Sequence, residues 1–184
     1  MEPAHSANSL VEICILAGGL SSRMGRDKSK LRIDGRTLLA HIQGIAKTTG
    51  FPVRVIRRDL VPRCGPLGGI YTALETTSAK SVLFLACDMP QITELLLKEL
   101  IEKFRTSGRT VFTSSDEGAG FPFLIRSAAL SRIERLMEQK QFSLQNLAKV
   151  LRAKKFHDAG FKDQLRNLNT PQDWLELKKF LREN

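Results

Sequence analysis

Short apolar runs alternate with amphipathic segments along most of this chain. Residues 11–17 (VEICILA) and 81–86 (SVLFLA) are nearly continuous apolar runs, a pattern typical of buried parallel strands. Residues 37–48 place apolar side chains at helical spacing and are followed by a glycine that ends the predicted helix. The same patterns predict further strands at residues 52–57, 109–114, 121–126 and 154–158, and further helices at residues 66–77, 92–104, 128–140, 143–152 and from Pro171 onward.

This alternation of strands and helices predicts an α/β fold, with a mostly parallel sheet flanked by helices in one domain. We expect a flexible tail over residues 1–10 and a single domain over residues 11–184. In open sheets of this kind, ligands bind at the carboxyl ends of the strands. Gly18, Gly19 and Asp88 each follow a predicted buried strand, so we expect them to lie at one common mouth.

Several functional classes are disfavoured by composition. The first ten residues lack the basic start and apolar run of a signal peptide, and no run approaches the roughly 18 apolar residues of a membrane helix. We therefore expect no membrane association and a cytoplasmic location. The three cysteines have no CxxC or Cys/His spacing, which argues against a disulfide framework or a zinc site. Cys14 and Cys87 lie in or next to apolar runs and are expected to be core residues.

The formal charge of +10 fits a nucleic-acid binder, a membrane-surface protein or a protein with an anionic small-molecule ligand. The basic residues are spread along the chain without an aromatic RNA-binding motif or a helix-turn-helix pattern. Six of them lie between Ser21 and Arg36, directly after the Gly18-Gly19 turn. This placement favours an anionic small molecule over nucleic acid.

Residues 16–28 (LAGGLSSRMGRDK) form the most specific motif. Glycines after a strand let backbone N–H groups approach a phosphate closely, and Arg23 and Lys28 supply positive charge for a triphosphate. The segment is not a Walker A loop, because Gly25 is followed by an arginine and not by a lysine. It also lacks the G-x-G-x-x-G pattern of dinucleotide-binding loops.

Three further motifs have both a structural and a functional interpretation. Residues 65–69 (GPLGG) fit a plain loop-to-helix turn or a backbone surface that reads a base edge. Asp88, in CDMP at the end of a strand, fits a helix cap or a ligand for a hard cation such as Mg²⁺. Asn167 and Asn169, in NLNTP, fit an asparagine-rich turn or a pair of side chains that point the same way toward a metal or substrate.

Together, and in this order, the four strings LAGGLSSRMGRDK, GPLGGI, CDMP and NLNTPQD resemble the molybdenum cofactor guanylyltransferase family. The resemblance implies a Rossmann-like nucleotidyltransferase fold. It also implies an enzyme that joins GMP from GTP to molybdopterin, releases pyrophosphate and uses Mg²⁺. Transient contact with molybdenum cofactor biosynthesis proteins or acceptor molybdoenzymes is a further expectation from the same resemblance.

The resemblance also assigns roles to residues of the matching motifs. Arg23, Lys28 and Asp88 are the implied catalytic residues, and Asp88 is also the implied magnesium ligand. Asn167 and Asn169 are implied to face the pterin substrate. The implied nucleotide-binding residues are Leu16, Ala17, Gly18, Gly19, Lys28, Asp59, Gly65, Pro66, Leu67, Gly68 and Asp88.

This chain departs from the family pattern in two places. About fifteen residues separate Gly50 from Gly65, where the family has enough chain for two strands, so one sheet edge is expected to be shortened. Arg57-Arg58 stands nearest the place where the family has a nucleotide-contacting asparagine, and Asp59 follows directly. GPLGG also replaces the commoner GPLAG, a one-methyl change that we expect to be harmless.

Three alternatives to the guanylyltransferase remain open from the sequence. The first is a related nucleotidyltransferase of the same fold, with another base or another phosphorylated acceptor. The second is a non-catalytic nucleotide-binding relative, and the third is a nucleic-acid binder suggested by the charge alone.

Overall fold

The computed structural model describes residues 10–18, 31–33, 35–115 and 118–183, with only the backbone described for residues 181–183. Gly19, Arg23 and Lys28 therefore lie outside the described residues. The strands are β1 (Val11–Leu16), β2 (Arg32–Ile33), β3 (Arg36–Thr37), β4 (Val53–Ile56), β5 (Ser81–Ala86), β6 (Val111–Ser115), β7 (Gly118–Arg126) and β8 (Lys154–Phe156). The α-helices are α1 (Leu38–Thr48), α2 (Pro66–Glu75), α3 (Glu94–Ser107), α4 (Leu130–Glu138), α5 (Leu144–Val150) and α6 (Pro171–Glu183), and 3₁₀ helices occur at Ser127–Ala129 and Ala159–Leu165.

Six strands form one sheet in the order β4-β1-β5-β7-β6-β8. The β4, β1 and β5 strands pair in parallel, β7 pairs antiparallel with both β5 and β6, and β8 pairs in parallel with β6. Five strands thus run in one direction and β7 runs in the other. The predicted mostly parallel, helix-flanked sheet is confirmed. Among the described helices, none is long and apolar enough to cross a membrane.

The predicted elements are observed with boundaries shifted by a few residues. The helix predicted from residue 92 begins at Glu94, because the Thr93 hydroxyl caps it by accepting a hydrogen bond from the N–H of Leu96 at 3.3 Å. The predicted capping arrangement at α6 is also observed. The N–H of Asp173 donates to the Thr170 hydroxyl at 3.1 Å, and the Asp173 carboxylate accepts from the N–H of Thr170 at 2.7 Å.

Among the described residues, one hairpin and one 3₁₀ helix were not predicted. The first is the β2–β3 hairpin, whose two-residue strands are too short to show a hydrophobic period. The second is the 3₁₀ helix Ala159–Leu165, none of whose residues is buried. The prediction for Cys87 was wrong, since this residue is half-buried just beyond the end of β5, whereas Cys14 and Cys64 are buried.

The sheet has an apolar layer on each face because alternate residues of a strand point to opposite faces. Cys14, Phe84 and Phe123 face a layer formed by α2, α4 and α5. Ile13 and Leu83 face the opposite layer, formed by α1 and α3. A third cluster packs the β2–β3 hairpin and α1 against α6, through the residues Leu31, Ile33, Leu38, Leu168 and Leu177, with Trp174 against it.

One strand, β4, lies between α1 and α2, and it pairs directly with β1 from Ile13↔Val53 to Leu16↔Ile56. The structure describes all of residues 49–65, so the shortened segment seen in the sequence contains this single strand. As a result, β4 is the last strand at its end of the sheet.

A charged network joins β1, β4 and the end of α2. The Arg54 guanidinium donates from Nε and Nη2 to the two carboxylate oxygens of Glu12, at 3.0 and 2.9 Å. Nη2 also donates to the Ala73 carbonyl in the last turns of α2 at 2.7 Å, where positive charge is favourable. The Thr77 hydroxyl donates to Glu12 at 2.7 Å. These hydrogen bonds connect the amino-terminal parts of β1 and β4 to the C-terminal end of α2.

We expect Arg54→Met to lower the free energy of unfolding by about 2–3 kcal/mol, because it leaves the Glu12 carboxylate without its cation. The cost is below that of a fully buried pair, since the Arg54 and Glu12 side chains are 27% and 16% exposed. Urea denaturation measures the effect. Arg132→Met, on an exposed position of α4, is the matched control and should change stability by no more than about 0.5 kcal/mol. Equal effects of the two substitutions would contradict this assignment.

Candidate functional site

The carboxyl ends of β1 and β5 lie side by side. The two strands are paired in register to their last residues, Leu16↔Ala86. Beyond them, the N–H of Cys87 donates to the Leu16 carbonyl at 3.3 Å, and the N–H of Ala17 donates to the Ile56 carbonyl of β4 at 2.8 Å. The ends of β4, β1 and β5 therefore place Gly18 beside the segment that contains Asp88.

Gly18 lies directly against the chain that follows β4. A Cβ atom on Gly18 would stand 3.2 Å from the Arg57 carbonyl oxygen and 3.8 Å from a carboxylate oxygen of Asp59. The first distance is tighter than ordinary van der Waals contact, so a side chain here would displace the neighbouring backbone by a few tenths of an ångström. Glycine allows this close approach of the two backbones without a shift.

The Asp59 carboxylate occupies the space beside the first turn of α2. A Cβ atom on Gly68 would stand 2.5 Å from Oδ2 of Asp59 and 3.2 Å from Sγ of Cys64. A methyl group at position 68 would displace the Asp59 carboxylate, which is the end of a flexible side chain, so the expectation that an alanine is harmless here stays a prediction. The glycine at 68 and the position of Asp59 are thus coupled.

Thr72 fixes the segment after Asp59 to α2. Its hydroxyl accepts from the N–H of Leu60 at 2.8 Å and donates to the carbonyl of Gly68 at 2.8 Å. Burial raises the pKa of the Asp59 carboxyl above the usual value for aspartate. Burial, and to a lesser extent the charge of Asp59, raises the pKa of the Cys64 thiol. Asp59 is therefore a partly desolvated carboxylate with a fixed backbone.

The GPLGG segment forms the N-terminal start of α2. Gly65 is the N-cap with φ of +62° and forms no side-chain cap, and Pro66 occupies the first turn, where its missing N–H costs nothing. Leu67 is fully buried, so its side chain belongs to the core. The first N–H groups of a helix have no partner within the helix. Here they belong to the buried residues Leu67, Gly68 and Gly69, and Gly68 lies next to Asp59.

The C-terminal asparagines are held close to Asp88. The N–H of Leu168 donates to the Asp88 carbonyl at 2.7 Å, which fixes the segment Asn167–Asn169 against the end of β5. The N–H of Asn169 donates to the Asp173 carboxylate at 2.8 Å, so the segment is tied to α6 as well. Both asparagines are exposed. Segments 80 residues apart in sequence thus meet at one point.

Asp88 offers a single carboxylate at this point. Within the part of the chain that the structure describes, no group of three or more His, Cys, Asp or Glu side chains is arranged to hold a metal ion. This donor set does not suit a metal enclosed by protein ligands. It does suit Mg²⁺, which is commonly held by one or two carboxylates together with waters and substrate phosphates.

A cleft of about 890 Å³ opens next to the asparagines. One wall comes from β6, β7 and the start of α5, with Ser115 and Gln145 among its polar groups. The other wall comes from residues 162–169 and from α6, and it includes Asn167 and Asn169. This volume is in the range of small-molecule sites. Sequence reasoning missed Ser115 and Gln145, which belong to no motif and meet only through the fold.

The structure brings together those predicted site residues that it describes. Around the end of β1 and the start of α2 lie Leu16, Ala17, Gly18, Asp59, Gly65, Pro66, Leu67 and Gly68. Asp88, Asn167 and Asn169 lie next to them, at the end of β5 and the edge of the cleft. Their roles in binding and catalysis remain predictions, as do those of Gly19, Arg23 and Lys28.

Comparison with known proteins identifies the family. A family model described as a MobA-like NTP transferase domain matches residues 13–59 and 43–158. The chain belongs to this family. The resemblance identified from the four motifs is thereby confirmed, and with it the assignment to the nucleotidyltransferases.

Curated relatives of this MobA-like chain are named as guanylyltransferases. A probable molybdenum cofactor guanylyltransferase of Opitutus terrae is 30% identical over 192 residues, covering 91% of this chain and 95% of the relative. One of Flavobacterium johnsoniae is 34% identical over 152 residues, covering 74% and 80%. A third, of Methanothermobacter thermautotrophicus, is 36% identical over 123 residues, which span 55% of this chain and 61% of the relative.

A solved structure shows the same fold. The molybdopterin-guanine dinucleotide biosynthesis protein A of Archaeoglobus fulgidus superposes with a TM-score of 0.75, covering 94% of this chain and all of that one. The sequence identity is 17%, so this similarity supports the MobA-like fold and not a particular substrate.

We expect Thr72→Val to lower the free energy of unfolding by about 1–2 kcal/mol, because the N–H of Leu60 and the carbonyl of Gly68 lose their common partner. Thr106→Val is the matched control. The Thr106 hydroxyl is exposed and bonds only within α3, so its loss should cost about 0.5 kcal/mol or less. Chemical denaturation of both variants tests this. A Thr72 variant as stable as the control would mean that the hydroxyl does not fix the Asp59 segment.

Proposed function

We propose that this chain transfers GMP from GTP to molybdopterin and releases pyrophosphate. The observation that most supports the proposal is the placement of Gly18, Asp59 and Asp88 around one mouth of the sheet, with a cleft of acceptor size beside them. The names of the curated relatives support guanylyl transfer in particular.

The nucleotide would bind between the end of β1 and the start of α2. The backbone of residues 16–19 would contact its phosphates, and the first turn of α2 would contact the base. The Asp59 carboxylate, held beside Gly68, would accept hydrogen bonds from donors on the nucleoside. A partly desolvated acceptor of this kind favours a ligand with matching donors, because a ligand without them leaves it unpaired.

Asp88 is the residue that would hold Mg²⁺, and the cation would neutralise charge on the triphosphate. Arg23 and Lys28 would stabilise the negative charge that develops on the departing pyrophosphate. The acceptor would lie in the cleft, with Asn167 and Asn169 as hydrogen-bonding groups beside Asp88. Transfer of this kind depends mainly on alignment and charge neutralisation.

This mechanism requires no general base, because the acceptor's phosphate is already ionised near neutral pH. The two described histidines have structural contacts that agree with this. The His41 ring lies 2.9 Å from the Pro90 carbonyl, and the His157 ring lies 3.2 Å from the Ser114 carbonyl. Each imidazole is thus paired with the backbone.

The remaining parts of the proposal follow from the family resemblance. We place the reaction in the cytoplasm, with no nucleic-acid or membrane partner. Transient contacts with other proteins of molybdenum cofactor synthesis, or with enzymes that receive the cofactor, belong to the same proposal. The positive charge would then serve anionic small molecules.

We expect Asp88→Asn to reduce turnover at least 100-fold at any Mg²⁺ concentration, because the amide is a poor ligand for a hard cation. A loss of this size corresponds to about 2.7 kcal/mol or more of transition-state stabilisation. Folding should be retained, since Asp88 is half-buried at the mouth and not in the core. Turnover is measured as the rate of dinucleotide formation at a series of Mg²⁺ concentrations.

Glu134→Gln, at an exposed position on α4, is the control with the same change of charge. A folded Asp88 variant with near-normal turnover would move the metal site to another carboxylate, Asp59 first.

For base selection, we expect calorimetric titration with Mg²⁺ to give at least tenfold tighter binding of GTP than of CTP. GTP and CTP share the triphosphate, so a difference between their affinities comes from contacts to the base. Equal affinities would contradict the guanine assignment. They would favour one of the related transferases.

A further inference from the structure

The acceptor cleft contains an arginine for which neither a motif nor the family resemblance gives a role. Arg166 lies on the wall formed by residues 162–169. Its Nε is 3.6 Å from the Asp163 carboxylate, and its Nη1 is 3.7 Å from the Glu176 carboxylate on α6. Both distances exceed those of a charge-assisted hydrogen bond. The side chain is 64% exposed, and pairs of this kind contribute little to stability.

Arg166 is also close to the proposed metal ligand. Leu168, two residues further on, donates to the Asp88 carbonyl at 2.7 Å. Two residues span at most about 7 Å, so an extended arginine side chain starting from residue 166 is long enough to reach groups bound beside Asp88. In the structure the guanidinium lies on the cleft wall, next to Asp163 and Glu176.

We propose that Arg166 binds the phosphate group of the acceptor and aligns it for attack on the nucleotide. This inference rests on the proposed function and extends it by naming the residue that recognises a phosphomonoester. The planar guanidinium offers two parallel N–H donors to two oxygens of a phosphate. On binding, Arg166 exchanges its long contacts with Asp163 and Glu176 for these shorter ones. Fixing the nucleophile in this way lowers the entropic cost of bringing it to the reacting phosphorus.

Asp163 and Glu176 then affect how tightly the acceptor binds. In the free protein they keep the guanidinium at the cleft wall. Without the arginine they leave two carboxylates facing a dianionic ligand, which is unfavourable. Neutralising Glu176 should therefore favour acceptor binding, whereas neutralising Arg166 should oppose it.

Steady-state kinetics of the full chain, with Mg²⁺, GTP and molybdopterin, test the proposal. We expect Arg166→Gln to raise the KM for molybdopterin about 10- to 100-fold, the range for losing a hydrogen bond to a charged group, and to leave the KM for GTP within twofold. Arg166→Lys should recover part of the affinity, because it keeps the charge without the planar pair of donors. Glu176→Gln should lower the KM for molybdopterin.

Arg132→Gln provides the matched control, because Arg132 is exposed on α4 and does not line the cleft. It should leave both KM values within twofold of the original. An Arg166→Gln variant that behaves like this control overturns the proposal. An equal rise in the KM for GTP and for molybdopterin also overturns it, because the effect would then not be specific to the acceptor.

A binding measurement separates this inference from the proposed function. Trp174 is the single tryptophan of the chain, and it packs against the cluster that contains Leu168 and Leu177, both of which line the cleft. Its fluorescence should change saturably on titration with phenyl phosphate, and Arg166→Gln should weaken the apparent affinity at least tenfold while Arg132→Gln does not. If the chain makes no dinucleotide but this difference is found, guanylyl transfer fails and the phosphate site stands. If the unaltered chain shows no saturable change, the phosphate site is overturned.

Discussion

The parallel register between β1 and β5 determines where each group of the candidate site lies. Both strands end at the same level, Leu16 beside Ala86, so the segments that follow them leave the sheet next to each other. One segment contains the glycine turn and the other contains Asp88. β4 adds Asp59 from the opposite side of β1, and the hydrogen bond from Leu168 to Asp88 adds the asparagines. A slip of one residue in this pairing would also place the apolar side chains of β1 on the wrong face.

The two ends of the sheet differ in how firmly their polar groups are held. At the amino-terminal half, Glu12 and Arg54 form close, partly buried hydrogen bonds that include the end of α2. At the carboxyl ends, the exposed Arg166 of the cleft is separated from Asp163 and Glu176 by more than hydrogen-bond distance. The first arrangement favours a fixed scaffold. The second leaves groups that are able to change partners when a charged ligand binds.

The sequence predicted those parts of the fold that depend on local patterns. The apolar runs of β1 and β5 and the capping pair at Thr170 and Asp173 contain their own signals, and the structure agrees with them. The reversed direction of β7 and the β2–β3 hairpin are set by contacts between distant residues, which no local pattern shows. The same holds for the site. Gly18 and Asp88 belong to sequence motifs, so they could be predicted as site residues. Gln145 and Arg166 belong to no motif, and they come together in the cleft only when the chain folds. The contact between Gly68 and the Asp59 carboxylate also forms only in the folded chain.

The strand order has a consequence for association between copies of the chain. An unpaired strand edge is a template for another strand, and natural sheets protect such edges by keeping them short and charged. In the described sheet, β4 and β8 are the terminal strands, with four and three residues. β4 follows Pro52 and is succeeded by Arg57-Arg58, while β8 begins with Lys154-Lys155. Part of the net charge of +10 therefore lies along both open edges, where like charges repel a second copy and oppose aggregation through strand pairing.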